Sequence, residues 1–241
     1  MNNKNIFKII KERGTRRTFG KVVRGSAIVR GLAIGLALML IVCFIYGTVT
    51  QNQIADSVVR LHIVANSNSD ADQEVKLKIR DAILEYVAKK YPNGATKEEA
   101  AKYLKNSLSE IKQIASAVLR ENGSNNMVSA NYGIYSFPTK EYDGLTLPAG
   151  NYEAVRVEVG EAKGNNWWCI MFPPLCVADA SSLKLDEEAM GQLKDGLSYE
   201  NYKLITGINE KNNGQITVKF RIVEIVEDSK MRISKLLSDL F

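Results

Sequence analysis

Catalytic equipment is sparse in this chain of 241 residues: it has one histidine, His62, and three cysteines, Cys43, Cys169 and Cys176. No Cys-x-x-Cys pair accompanies them, which removes the usual tetrahedral zinc arrangement. There is no glycine-rich phosphate loop, no paired-carboxylate motif and no serine nucleophile elbow. Internal repeats and low-complexity tracts are missing as well. No metal, cofactor, small-molecule substrate or catalytic residue is expected on these grounds. A binding role outranks an enzyme.

What the chain does have is one long uncharged apolar run, Gly31 to Val49, behind a strongly basic N-terminus. At about 1.5 Å of helical rise per residue, the run reaches roughly 28 Å, close to the hydrocarbon thickness of a bilayer. A helix there satisfies its own backbone groups in lipid. Residues 1–49 carry nine basic side chains, among them Arg13, Arg16, Arg17, Lys21, Arg24 and Arg30, against the single acid Glu12, a net of +8. The whole chain is +5, so residues 50–241 carry −3. The basic flank stays in the cytoplasm and the C-terminal bulk is expected outside. The overall pI near 9.0 is therefore a topology signal and does not point to nucleic acid. The run exceeds the apolar core of a cleavable signal, and Gly47-Thr48-Val49-Thr50-Gln51 lacks a clean small-x-small cleavage site. Retained anchor is favoured over cleaved signal. The chain divides into a basic cytoplasmic segment (1–30), a transmembrane or signal-anchor helix (31–49) and an extracytoplasmic domain (50–241).

Within that domain, Val58 to Ala65 reads as a strand in which Val59, Leu61 and Ile63 alternate with Arg60 and His62. Asn66 to Ser69 ends it. Ser69 is placed to cap a helix whose first turn carries Asp70 and Asp72. Val75, Ile79, Ile83 and Val87 give that helix one apolar face, and Tyr91-Pro92-Asn93-Gly94 stops it. Thr96-Lys97-Glu98-Glu99 is a capping box that opens a second helix through Ala101, Leu104, Leu108, Ile111, Ala115 and Val118. Met127–Phe137 and Tyr152–Val159 read as strands. Gly160 to Asn166 is then a glycine-flanked hairpin tip leading into Trp167–Phe172. One short helix is expected near Glu187–Leu193. A last strand, Ile216–Val226, precedes a helical tail bearing Ile233, Leu236, Leu237 and Leu240. The expected class is α+β, a mostly antiparallel sheet with two main helices.

Three features compete for function. Cys43, inside the apolar run, reads as inert. Cys169 and Cys176 flank Pro173-Pro174 outside the membrane, where a bridge is chemically allowed; a disulfide, two thiols and metal ligation are all open from spacing alone. His62 would need Cys169 beside it to form a nucleophile pair, and nothing in the spacing brings them together. The polar cluster Asn66, Ser67, Ser69, Asp70, Asp72, Gln73, Lys76 and Arg80 is either a turn with caps and helical charge pairs or a binding edge on a rigid element. Trp167 and Trp168 alternate along a strand, so one faces the core and the other does not.

The same residues carry a resemblance. Val59-Arg60-Leu61-His62-Ile63-Val64-Ala65-Asn66-Ser67-Asn68-Ser69, with Asp72-Gln73, Lys76, Lys78 and Ile79-Arg80-Asp81, resembles the opening signature of the stage II sporulation protein R family. Tyr152-Glu153-Ala154, Gly160-Glu161-Ala162-Lys163-Gly164, Asn166-Trp167-Trp168-Cys169 and Phe172-Pro173-Pro174-Leu175-Cys176 form a second matching block. The resemblance covers roughly 55–180. It implies a protein made in the forespore of an endospore-forming bacterium and exported into the space between the septal membranes. There it would switch on a membrane-embedded aspartic protease of the mother cell, stage II sporulation protein GA, which processes pro-sigma-E. It brings no catalytic residues. The candidate contacts are Arg60, Asn66, Ser67, Asp72, Gln73 and Arg80, or the Trp168–Cys176 loop. The competing reading is an exported hydrolase acting on cell-wall material or peptides through Cys169 or Asp72 with His62.

Overall fold

The computed structural model describes residues 3–90, 95–142, 144–175, 187–207 and 214–238, with side chains of the first helix from Ile28 onward. The chain forms two compact units, Met1–Tyr46 and Gly47–Phe241. Helix α1 (Asn3–Ala55) makes up the described part of the first unit. Its stretch Ile28–Ala55 is long and apolar enough to cross a membrane, a slightly longer span than the uncharged run alone. From Ile28 to Tyr46 its side chains face outward, among them Leu32, Leu36 and Leu40.

The second unit is built on a four-stranded sheet in the order β2-β5-β1-β6. The strands are β1 (Val59–Val64), β2 (Val128–Phe137), β5 (Gly150–Val159) and β6 (Asn166–Phe172). A separate two-stranded ribbon joins β3 (Lys140–Tyr142) to β4 (Leu145–Leu147). One sheet face packs on α2 (Asp70–Lys90), α3 (Lys97–Asn106) and α4 (Leu108–Glu121). Its core joins Val59, Leu61 and Ile63 to Ile79, Ile83, Leu104, Ile111, Val155, Val157 and Met171. At about 25 cal/mol per Å² of apolar surface removed from water, this layer is the main source of stability. The other side buries Ile54, Phe137, Leu145, Leu147, Tyr152, Ile170, Leu204 and Phe220. These come from the end of α1, the ribbon, the sheet, α6 (Tyr199–Thr206) and α7 (Gly214–Ser238). A further helix, α5 (Glu187–Gly196), lies where a short one was expected.

Several expectations hold at atomic detail. Ser69 Oγ accepts the N–H of Asp72 at 3.2 Å, and the Thr96–Glu99 capping box is complete. Trp167 packs on the helix-side core while Trp168 lies on the opposite face, against His62. The helix stop at 91–94 and Leu240 fall outside the described residues.

Others require correction. The sheet is mixed and not mostly antiparallel, because its central pair, β1 and β5, runs parallel. Strands β5 and β6 do not form a hairpin: β1 lies between them, parallel to one and antiparallel to the other. β1 is buried along its whole length, and such a strand is stable only with a neighbour on each edge and a layer on each face. The loop after β5 therefore steps over β1, about two strand spacings or roughly 10 Å. The unit also has more than two main helices. The helix expected from 96 to 121 breaks at the buried Ser107, whose ψ of 6° interrupts the α-conformation without disturbing the apolar stripe. The strand expected at Ile216–Val226 is the first half of α7. Its β-branched residues suggested alternation, but Ile216, Phe220, Val223 and Val226 are buried at helical spacing, and Val218 points to solvent.

A strand would place Val218 and Phe220 on one face; the helix separates them. Phe220→Ala is expected to cost about 3–5 kcal/mol, and Val218→Ala less than about 0.5 kcal/mol. Urea titration of the full-length chain in detergent micelles reads both. Equal losses would contradict the helix.

Candidate functional site

Strand β1 ends where Ala65 and Asn66 lead into the Ser67–Ser69 turn and α2. The loop from β5 crosses this end. The N–H of Gly164 donates to the Ala65 carbonyl at 2.9 Å, and that of Lys163 to the Asn66 carbonyl at 3.2 Å. The Asn66 side chain bridges both segments: Oδ1 accepts the Glu161 N–H at 3.0 Å, and Nδ2 donates to Asp72 Oδ2 at 2.9 Å. Asn68 Oδ1 accepts the N–H of Asn165 at 2.7 Å. Two glycines make the crossing fit. Gly160 has φ of +58°, and a Cβ there would collide with Asn66 Oδ1; a Cβ on Gly164 would collide with the Ser67 carbonyl.

The α2 side is equally tied. Ser67 Oγ donates to Asp72 Oδ2 at 2.5 Å, and Gln73 Nε2 to the Ser67 carbonyl at 2.8 Å. Lys76 Nζ reaches Gln73 Oε1 at 2.6 Å and the Asn165 carbonyl at 3.2 Å. Hydrogen bonds from Ser67 and then Asn66 hold the Asp72 carboxyl below its ordinary value of 3.8. Burial, with a smaller effect of Arg80, pushes the Lys76 ammonium down.

The structure thus sorts the sequence candidates. Asn66, Ser67, Asp72 and Gln73 do come together, as the inner framework of the junction. Arg60 does not join them. It is fully buried, its guanidinium lying 4.0 Å over the Phe137 ring and 4.9 Å from the Tyr152 ring, with Nη2 donating to Tyr142 Oη at 2.7 Å. Arg80 is buried too, 4.4 Å over Trp167 and paired with Asp81 at 2.7 Å. Both are packed as cations over aromatic faces. Trp168 is half-buried, stacked on His62 at 5.7 Å with Lys140 Nζ 4.2 Å over its ring. The solvent-facing side chains of the junction are Asn68, Ser69, Asp70, Glu161, Lys163 and Asn165. Sequence reasoning missed most of these as contacts, although the glycines flanking residues 161–163 marked a loop held close to other backbone.

The hydrolase geometry is not assembled. His62 pairs across strands with Trp168, whereas Cys169 opposes Leu61 in the helix-side core, so the imidazole and the sulfur occupy opposite faces. His62 Nε2 is instead 2.8 Å from Asn166 Oδ1, and burial pushes its pKa below 6.5. The Asp72 carboxylate is engaged by Ser67 Oγ and Asn66 Nδ2. Cys169 is held in a disulfide, Cys43 is free, and Cys176 lies outside the described residues. Among the described residues, no three His, Cys, Asp or Glu side chains gather as a metal site would require.

Comparison with known proteins gives these contacts a context. The family model described as stage II sporulation protein R matches residues 55–182, a range containing both halves of the junction. The chain belongs to the stage II sporulation protein R family. It is 35% identical to Stage II sporulation protein R of Bacillus subtilis (strain 168) over 186 residues, 73% of this chain and 82% of that relative. No solved structure matches. The two separated sequence blocks that carry the family resemblance are the two segments that hydrogen-bond at the end of β1.

Gly164→Ala is expected to destabilise the second unit by about 1–3 kcal/mol, because a methyl is forced against backbone that cannot move aside; denaturant midpoints of the full chain measure it, and an unchanged midpoint would refute the close crossing. For Asp72, the folded pKa lies below the unfolded one, so its contribution is complete above the unfolded value of 3.8 and is lost as pH falls through the lower folded value. Asp72→Asn should flatten the acid limb of the stability profile in that window while leaving its higher-pH slope unchanged. Parallel acid limbs would show that Asp72 is not so held.

Proposed function

We propose that this chain is an exported intercellular signal of endospore formation, tethered by α1, that activates the membrane-embedded aspartic protease stage II sporulation protein GA and so starts processing of pro-sigma-E in the mother cell. It acts as an activator and contributes no catalytic group. The observation that carries this reading is the 35% identity to Stage II sporulation protein R, over 82% of that relative's length. The basic N-terminal flank and the apolar stretch Ile28–Ala55 support a domain lying outside the membrane of the cell that makes it.

The β1–α2 junction is the docking surface in this proposal. Its exposed tip, Asn68, Asp70, Glu161 and Lys163, rests on a framework already hydrogen-bonded before any partner arrives, so little ordering entropy opposes docking. The tip is polar with charges of both signs, which favours specificity and orientation over bulk apolar affinity. Docking activates only to the extent that the active receptor state is bound more tightly. A shift from mostly off to mostly on needs roughly 5.5 kcal/mol of such preference.

The test is co-expression of full-length Asp70→Lys, Lys163→Glu and Trp168→Ala variants with the protease and pro-sigma-E, with Lys112→Glu on α4 as a distant control. Pro-sigma-E cleavage, read by immunoblot, is expected to fall on the order of tenfold for Lys163→Glu, the size of a charge-reversed interface contact. The control should process normally. Full processing by folded, exported variants of both the junction and Trp168 would overturn this docking surface.

A further inference from the structure

The sheet ends in β2 on one side and in β6 on the other. An open strand edge presents main-chain N–H and C=O groups to any extended chain, and proteins usually blunt it with charges, proline or a bulge. β6 follows that rule: its register with β1 shifts between Val59 and Arg60, and Pro173 follows its last residue. β2 does not. Its ten residues carry no charge and no proline, and its register with β5 is unbroken from Val128 to Phe137.

The phase of that ladder is fixed by the Gly160 N–H, which donates to the Met127 carbonyl at 2.9 Å. Antiparallel bonding alternates along a strand. Ser129, Asn131, Gly133 and Tyr135 therefore turn their backbone groups to β5, and Val128, Ala130, Tyr132 and Ile134 turn theirs outward. Among the described residues, no backbone group outside the ladder bonds to these outward N–H and C=O groups. At the far end, Ser136 Oγ donates to Met231 Sδ of α7 at 2.7 Å, so the open length stops at Ile134.

The side chains beside this edge have a definite chemistry. Ala130 and Tyr132 are partly buried against the helix-side core, and Ile134, on the same face, is 72% exposed. Helix α3 passes next to them. Its Lys105 Nζ lies 4.6 Å over the Tyr132 ring, and its Lys97 pairs with Glu153, the residue opposite Ile134 on β5. Lys102 and Lys105 form no ion pair among the described residues. With Lys97, Asn106 and Glu153 they line a groove of about 400 Å³. The open edge is thus bordered by an exposed aliphatic side chain and by two ammonium groups without a carboxylate.

We infer that β2 takes up an added strand, supplied by an extended acidic segment of another protein. The incoming main chain bonds to the outward groups of Ala130, Tyr132 and Ile134, and its alternate side chains supply the selectivity. A side chain placed opposite Tyr132 lies about 5 Å from it, within reach of Lys105, so a carboxylate there meets an unpaired cation. A second copy of this chain fits less well. Paired antiparallel about Tyr132, the register that uses most of the strand, it would set the two Lys105 side chains beside each other, a like-charge contact that disfavours the pair. The edge is separate from the tip of the β1–α2 junction, and the inference does not depend on which protein the junction meets.

The probe is a capped nine-residue peptide alternating valine with glutamate and serine, and its counterpart has lysine in place of glutamate. Each is added to the full-length chain in detergent micelles, and hydrogen exchange is read amide by amide. In the free protein, the amides of Ala130, Tyr132 and Ile134 should exchange fast, and those of Asn131, Gly133 and Tyr135 slowly. The acidic peptide, at ten times its Kd from fluorescence anisotropy, should slow the fast set roughly tenfold and leave the slow set unchanged. Lys105→Glu should weaken the acidic peptide on the order of tenfold. Ile134→Pro removes one outward N–H without touching the ladder to β5, and should abolish the protection; if that variant does not fold, Lys105→Glu still decides. Lys194→Glu on α5 should bind as the unaltered chain does. No slowing of the fast set by the acidic peptide, or equal binding of the lysine peptide, would overturn the inference. Equal slowing of both sets would also overturn it, as a general stabilisation without strand pairing. Protection of 130, 132 and 134 that grows with protein concentration in the absence of peptide would overturn it in favour of a second copy. None of these readouts depends on protease activation.

Discussion

The second unit depends on a loop lying across the end of a buried strand. With its backbone hydrogen-bonded to Ala65 and Asn66, the 160–165 segment carries the chain over β1 and sets β5 and β6 on either side of it. Without that crossing, β1 would have an open edge, and a wholly buried strand with unpaired backbone groups is strongly disfavoured. The crossing requires Gly160 and Gly164, whose Cβ positions are taken by Asn66 and by the Ser67 carbonyl. Asn66 completes it by satisfying the loop with one side-chain atom and the α2 turn with another. A structural need and a candidate docking surface thus coincide: the framework is internal, and its outer side chains are what a partner would meet.

On the other sheet face the organising group is Arg60, a permanently charged side chain with no exposed surface. Two aromatic rings and the Tyr142 hydroxyl surround it, with no carboxylate among the described residues bonding to it. A guanidinium tolerates such a setting better than an ammonium because its charge is delocalised and its faces stack. Arg80 repeats the arrangement over Trp167 on the helix side. These two cations tie the ribbon and α2 to the sheet by geometry, and their charge is spent internally.

The last turns of α1 and the Asn66 junction lie at opposite ends of β1. The last turns of α1 enter at the beginning of β1, where Gln51 Nε2 donates to the Asn151 carbonyl at 3.1 Å. Asn66 lies at its far end, about 20 Å away at the usual rise of a strand. The central strand β1 therefore separates the last turns of α1 from the Asn66 junction.

Much was legible from local pattern. The apolar span with its basic flank, the Ser69 cap, the Thr96–Glu99 box, the strand character of 128–137 and 150–159 and the opposite facing of Trp167 and Trp168 all follow from short-range periodicity and capping chemistry. The family blocks were legible as well. What sequence could not decide was which strands become neighbours, because alternation records how a strand faces and carries nothing about what lies at its edge. β5 and β6 therefore read as a hairpin until β1 came between them. The burial of Arg60 and Arg80 was not legible for a related reason: burial of a cation depends on aromatic rings brought from Phe137, Tyr152 and Trp167, which are far away in the chain. Residues 216–226 satisfied both periods, and packing on α6 and the sheet selected the helix over the strand. The sequence by itself determined the long apolar segment behind its basic flank and which short segments cap, turn or extend. Only the tertiary structure decided strand order, the placing of the two buried cations and the meeting of Asn66 with the 160–165 loop, since each depends on contacts between residues whose separation leaves no local trace.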